Sequence, residues 1–143
     1  MVFVRLLACL LFSVLMPLAA WADDIVVVVN PASGVESLSR NDVINIFLGG
    51  FRRLPSGIPA LPVDLPQGNP VREEFYRLLV GKNPAEINTY WSRLIFSGKM
   101  RPPLQAARVE DAQAMVLGSV GAITYLDRSK VDGRFKIVFE LSR

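Results

Sequence analysis

A chain of 143 residues accommodates one domain plus a targeting segment, and excludes two full lobes or a repeat array. The absence of histidine rules out Ser-His and Cys-His nucleophilic pairs, His-ligated zinc and imidazole proton shuttles, and the single cysteine is Cys9. A formal charge of +3 without any run of basic residues gives no support for nucleic acid as a partner.

Arg5 is the only charge ahead of an apolar run from Leu6 to Met16, which Pro17 breaks. Ala20-Trp21-Ala22 then supplies small residues where signal peptidase needs them. The run is too short to cross a hydrocarbon core about 30 Å thick, which disfavours the alternative of an uncleaved anchor. Residues 1–22 are therefore predicted to be a signal peptide cleaved after Ala22, with the exported domain over residues 23–143 and a periplasmic address in a Gram-negative host. Leu6-Leu7-Ala8-Cys9 matches a lipoprotein box only superficially, because nearly all of the apolar run follows the cysteine. Cleavage removes Cys9, so the domain needs no disulfide or thiol chemistry.

Ile25 to Val29 is an unbroken β-branched run, apolar on both faces, and predicts a buried central strand. After a polar loop, Ser39 with Asp42 forms a capping-box-like start to a helix with Val43, Ile44, Phe47 and Leu48 on one face, stopped at Gly49. Pro55-Ser56-Gly57 marks a turn within a loose hairpin over residues 51–62, leading into a short strand from Ala60 to Leu65. Two helices with the same device follow: Asn69 caps and Pro70 leads the first, which ends at Gly81, and Asn83 caps and Pro84 leads the second, which ends at Gly98. Met100 to Leu104, with Pro102-Pro103, is predicted to be loop, and Ala106 to Leu117 a weaker helix. Gly121 to Leu126 and Phe135 to Leu141 are the last strands. Strands interleaved with helices predict an α/β sheet covered on both faces.

The chemistry-bearing stretch runs from Val63 to Arg72. A helix start offers backbone N–H groups and partial positive charge to an anion, Gly68 permits close approach, Gln67 and Asn69 add amides, and Arg72 can pair with phosphate or carboxylate. Against this, Pro70 deletes a donor, Asn69 can serve merely as the cap, and Glu73 and Glu74 already offset the dipole, so on these residues alone a plain cap is preferred to an anion site. Phe75, Tyr76, Tyr90, Trp91 and Phe96 have the spacing of core aromatics rather than of a stacking platform. Arg52-Arg53 reads as a solvated pair, with a partner contact as the lesser alternative, and Glu110-Asp111 as dipole partners in a first helical turn. No acidic cluster has metal-ligand spacing and no serine sits in a nucleophile elbow, so neither a metal nor catalysis is expected.

Three segments together resemble the substrate-binding proteins of phosphate ABC transporters. Leu38 to Gly49 is similar to the family's helix ending in Ile-Phe-x-Gly, the second segment is the unit from Val63 to Arg72, and Gly118 to Tyr125 is similar to its Pro-Gly-Ala-Ile-Gly-Tyr strand. The likeness covers residues 25–140 and is nearer to short single-lobe members, which carry a Tyr-Trp-Ser-Arg-x-x-Phe-x-Gly segment such as Tyr90 to Gly98. It implies one α/β lobe of periplasmic-binding-protein type, with a mixed sheet of about four or five strands between helices. In full-length members the loop reads Gly-Ser-Gly-Thr-Arg and holds phosphate. Here Gly68 and Arg72 stand at the first glycine and the arginine, while Asn69, Pro70 and Val71 replace the three residues between, and Thr124 replaces a glycine in the last motif. The resemblance thus implies weak binding of phosphate or another small anion through Gly68, Asn69, the Val71 N–H and Arg72, each lost donor costing about 1.5–3 kcal/mol. It implies no cofactor, no enzymatic activity and a link to phosphate ABC transport. The alternative is a ligand-free interaction or sensor domain that keeps the lobe fold. Such a domain would touch a membrane or a periplasmic protein through the Arg52-Arg53 turn or the helix-start surface.

Overall fold

The five residues of Ile25–Val29 (β1) are all fully buried, as a run apolar on both faces requires, and they form an interior strand of the sheet, one in from its edge. The computed structural model describes residues 23–98 and 100–143; the signal peptide read over residues 1–22, with its cleavage after Ala22, lies outside them. The other strands are Leu61–Asp64 (β2), Leu104–Gln105 (β3), Ala122–Asp127 (β4) and Lys136–Leu141 (β5). They make a five-stranded mixed sheet in the order β3-β2-β4-β1-β5. β1 runs antiparallel to both β4 and β5, whereas β2 runs parallel to β4 and β3. Arg40–Leu48 (α1), Pro70–Val80 (α2), Pro84–Phe96 (α3) and Val109–Gly118 (α4) complete the single α/β lobe.

Local chemistry explains where the helices begin. Ser39 and Asp42 form a reciprocal capping box on α1. Asn69 caps α2 and Asn83 caps α3, each ahead of a proline in the first turn. α4 has no side-chain cap and starts at Val109, three residues later than its sequence pattern suggests, with Glu110 and Asp111 in its first turn. The expected loose hairpin holds a single bridge, Arg53 to Pro59. One strand was not foreseen. Leu104–Gln105, expected as loop or left unassigned, pairs with Val63 and Asp64 as the edge strand β3. Two residues behind a Pro-Pro pair carry no periodic signal of their own.

Gly121 opens β4 against the hairpin, where a Cβ would lie 2.1 Å from the Pro59 carbonyl oxygen. Its own carbonyl receives the Leu61 N–H at 2.8 Å, so the two segments cannot separate freely. No helix among the described residues is long and apolar enough to cross a membrane. Gly121→Ala is expected to destabilise the domain by about 1–3 kcal/mol, the usual effect of forced overpacking. Gly133→Ala, facing open space, serves as the control. Equal urea midpoints for the two variants would contradict this account of the close approach.

Candidate functional site

β2 ends at Asp64, inside the lobe, and its carboxylate gathers donors from three directions. Arg72, on the first turn of α2, donates Nε–H to Oδ2 at 3.1 Å, and the Tyr76 hydroxyl, one helical turn further on, reaches the same oxygen at 3.2 Å. Oδ1 receives the Leu65 N–H at 3.1 Å and the hydroxyl of Tyr125 from β4. The guanidinium of Arg72 also lies over the Tyr76 ring, 5.3 Å from its centroid. Beneath them Phe75 stacks on Tyr125 at 3.7 Å, with Phe47 edge-on to both. Arg72 is only 2% exposed, and Tyr76 and Tyr125 are fully buried.

Every contact of the Asp64 carboxylate is with a donor, which suits the anion. Burial nevertheless outweighs these contacts and pushes its carboxyl above the usual carboxylate range, with Arg72 the strongest opposing influence. Burial, and then the neighbouring Asp64 charge, push the Tyr76 and Tyr125 hydroxyls well above the ordinary phenol value.

The structure brings the four sequence-predicted site residues together but employs them differently from the expected anion cradle. Asn69 Oδ1 itself accepts the Val71 N–H at 2.8 Å and the Arg72 N–H at 3.4 Å, so the helix-start amides are occupied by the cap. Gly68 is in the left-handed conformation (φ 78°) with nothing near it. Arg72 turns inward to Asp64 instead of outward over the turn. Thr124, at the position where the family pattern has glycine, donates its hydroxyl to the Val63 carbonyl at 2.8 Å and so fastens β4 to β2.

A cleft of about 280 Å³ opens beside this pair, between the start of α2, one face of α3 and the Pro102-Pro103 segment. Among the described residues Arg72 and Asp64 are the only charged ones lining it, and their formal charges cancel. A relay crosses it: Arg72 Nη1 donates to Gln67 Oε1 at 3.4 Å, and Gln67 Nε2 donates to Asn88 Oδ1 at 3.2 Å. Arg72 Nη2 has no protein partner among the described residues. Trp91, also on the cleft wall, is buried with its indole N–H unpaired. A roomier groove of about 580 Å³ runs along α3, lined by Lys82, Glu86, Tyr90 and Arg93, but it has neither a buried charge nor an orphan donor. Among the described residues no three His, Cys, Asp or Glu side chains come together as a metal site. Phe75, Tyr76 and Trp91 are core, as expected, whereas Phe96 is 96% exposed and Tyr90 is at the surface.

No protein-family model and no curated relative matches the sequence. Solved structures do match. One is a protein from Clostridium perfringens assigned as a phosphate ABC transporter substrate-binding protein, with phosphate bound: TM-score 0.65 and 17% identity, over 82% of this chain and 45% of that one. Another is an ABC-type phosphate transport receptor from Vibrio cholerae, with TM-score 0.63 and 16% identity over 82% and 46% of the two chains. The likeness is one of fold. The chain is similar to one lobe of such binding proteins and spans less than half the length of either.

The sequence reading missed Asp64, Tyr76, Tyr125 and Trp91 as parts of one site. The available signal was a single acid closing an otherwise apolar strand, eight residues before an arginine. Breaking the pair by Arg72→Ala is expected to cost about 3–5 kcal/mol, because it strands a buried carboxylate, whereas Asp64→Leu with Arg72→Met is expected to be near neutral. Denaturation that finds the single variant as stable as the double one would contradict the pairing. The raised carboxyl value also fixes a sign. Asp64's share of stability is fully present below the ordinary carboxyl value and is lost as pH rises through the raised folded one. The urea midpoint of the parent relative to Asp64→Asn is therefore expected to fall as pH rises from about 4 towards neutrality. A rise over that window would contradict it.

Proposed function

We propose that the protein is an exported, periplasmic, non-enzymatic solute-binding-like module that takes phosphate or another small anion weakly in the cleft beside Arg72. The observation that carries this is the unpartnered Nη2 of Arg72 on a cleft wall that also holds the Asn88 and Gln67 amides. Weakness follows from charge. Asp64 cancels the arginine, so an entering dianion meets no net positive potential. Gly68, Asn69 and the Val71 N–H join the site only when the Asn69 side chain turns away from its cap. The neighbours' names make phosphate the first anion to test and a phosphate ABC transporter the partner class.

A second reading, a ligand-free interaction domain that keeps the lobe, is favoured by one specific fact: Asp64 and Asn69 already satisfy most of the groups an anion would use. Titration calorimetry separates the two. Phosphate is expected to bind with a Kd near 1 mM, equivalent to about −4.1 kcal/mol. Asn88→Ala is expected to weaken it at least about threefold, by loss of one hydrogen-bond donor, without lowering Tm. A folded parent that gives no heat with phosphate, sulfate or small carboxylates would overturn the first reading in favour of the second.

A further inference from the structure

Acidic residues are missing from two long stretches of this chain: none stands between Asp42 and Asp64, and none between Glu86 and Glu110. Arg52, Arg53, Arg93, Lys99, Arg101 and Arg108 all lie within them. So do six large hydrophobic side chains that the fold leaves exposed, namely Phe51, Leu61, Tyr90, Ile95, Phe96 and Leu104. Basic charge and exposed apolar surface therefore coincide in sequence.

They also coincide in space. The Tyr90 hydroxyl donates to the Leu48 carbonyl, joining α3 to the end of α1. Gly50 lies against Met100, whose sulfur would be 2.5 Å from a Cβ placed there. Val63 pairs with Leu104 across the β2–β3 edge. The loop after α1 and the segment after α3 thus form one continuous surface. On it Phe96 ends α3 almost wholly in solvent, while Ile95 is 54% and Phe51 52% exposed.

Arg52, Arg53, Arg93 and Arg101 are exposed, and among the described residues none of them forms an ion pair. The bordering carboxylates are engaged: Asp42 accepts the Ser39 N–H, and Glu86 pairs with Lys82 at 3.5 Å.

We propose that this face docks on an anionic lipid surface, with Phe96, Ile95 and Phe51 entering the interfacial layer and the arginines meeting lipid phosphates. Charge complementarity selects the occupant. A second copy docked through the same patch would set arginines against arginines, which opposes a two-fold dimer. An acidic protein would pair with the arginines but leave Phe96, 96% exposed, and Ile95 without apolar cover, which a lipid interface supplies. Projecting aromatic and aliphatic residues flanked by Arg and Lys are the arrangement that suits a headgroup boundary. This inference is independent of the anion cleft.

Vesicle co-sedimentation tests it, with the full-length chain in every arm so that its N-terminal segment is common to all. The parent is expected to sediment with vesicles containing about one-third phosphatidylglycerol at low salt, and to be released at about 0.5 M salt. Arg93→Glu with Arg101→Glu is expected to lower binding at least about tenfold, and Phe96→Ser several-fold, with unchanged Tm. Lys130→Glu with Arg134→Glu, which makes the same charge change elsewhere, is expected to bind like the parent. Equal binding of the parent to neutral phosphatidylcholine vesicles, or equal loss in the control, would overturn the proposal. So would concentration-dependent dimerisation abolished by the same face substitutions, which would give the face to a second copy. Retention of soluble polyglutamate with indifference to vesicles would overturn it in favour of an acidic protein.

Discussion

A carboxylate shut away from water is unstable by itself, at an effective penalty of several kcal/mol, and the core of this lobe is arranged around satisfying one. Asp64 closes β2, and its donors come from α2 (Arg72 and Tyr76), from β4 (Tyr125) and from the next backbone amide (Leu65). That one group ties two neighbouring strands to the helix that follows the first of them. The stack of Phe75 on Tyr125 and the Thr124 hydroxyl on Val63 hold the same elements from beneath. Breaking the pair would therefore disturb the sheet, the helix start and the cleft together.

The same pair sets the electrostatics of the surface above it. A helix N-terminus with an arginine on its first turn has the parts of an anion site, and likeness to one lobe of phosphate-binding proteins makes that comparison natural. In this chain the parts are turned on one another: Asn69 holds the amides, and Asp64 holds the guanidinium. What faces the cleft is one amino edge of Arg72 and a relay of amides. Such a lining supports weak recognition at most, because an incoming anion gains Coulomb energy from Arg72 and loses a similar amount to Asp64. Arg52, Arg53, Arg93 and Arg101, which form no ion pair among the described residues, lie elsewhere, on the loop after α1 and on and after the end of α3.

Legibility from the sequence followed the range of the interactions. Helix starts were readable because Ser39, Asn69 and Asn83 act within three residues of themselves. β1 was readable because five β-branched residues admit little else. β3 was not, since its two residues are strand only by virtue of β2 beside them. Arg72 was correctly placed on the first turn of its helix, but its direction depends on a residue eight positions back and on a tyrosine 53 positions onward, which no local pattern encodes. Phe96 shared the helical spacing of core aromatics and is nonetheless exposed, at the last position of a helix whose buried residues are Ile87 and Trp91. Periodicity states which face a residue occupies, not whether anything lies opposite it.

Phosphate titration of Asp64→Asn reaches the central claim most directly, since the substitution keeps the shape and removes the cancelling charge. A unit charge about 8 Å from the ligand is worth about 2 kcal/mol at an effective dielectric of about 20. The account predicts that the folded variant binds phosphate at least about tenfold more tightly than the parent. Unchanged or weaker binding by a folded Asp64→Asn would contradict it, because Arg72 would then not be the group whose charge Asp64 withholds from the cleft.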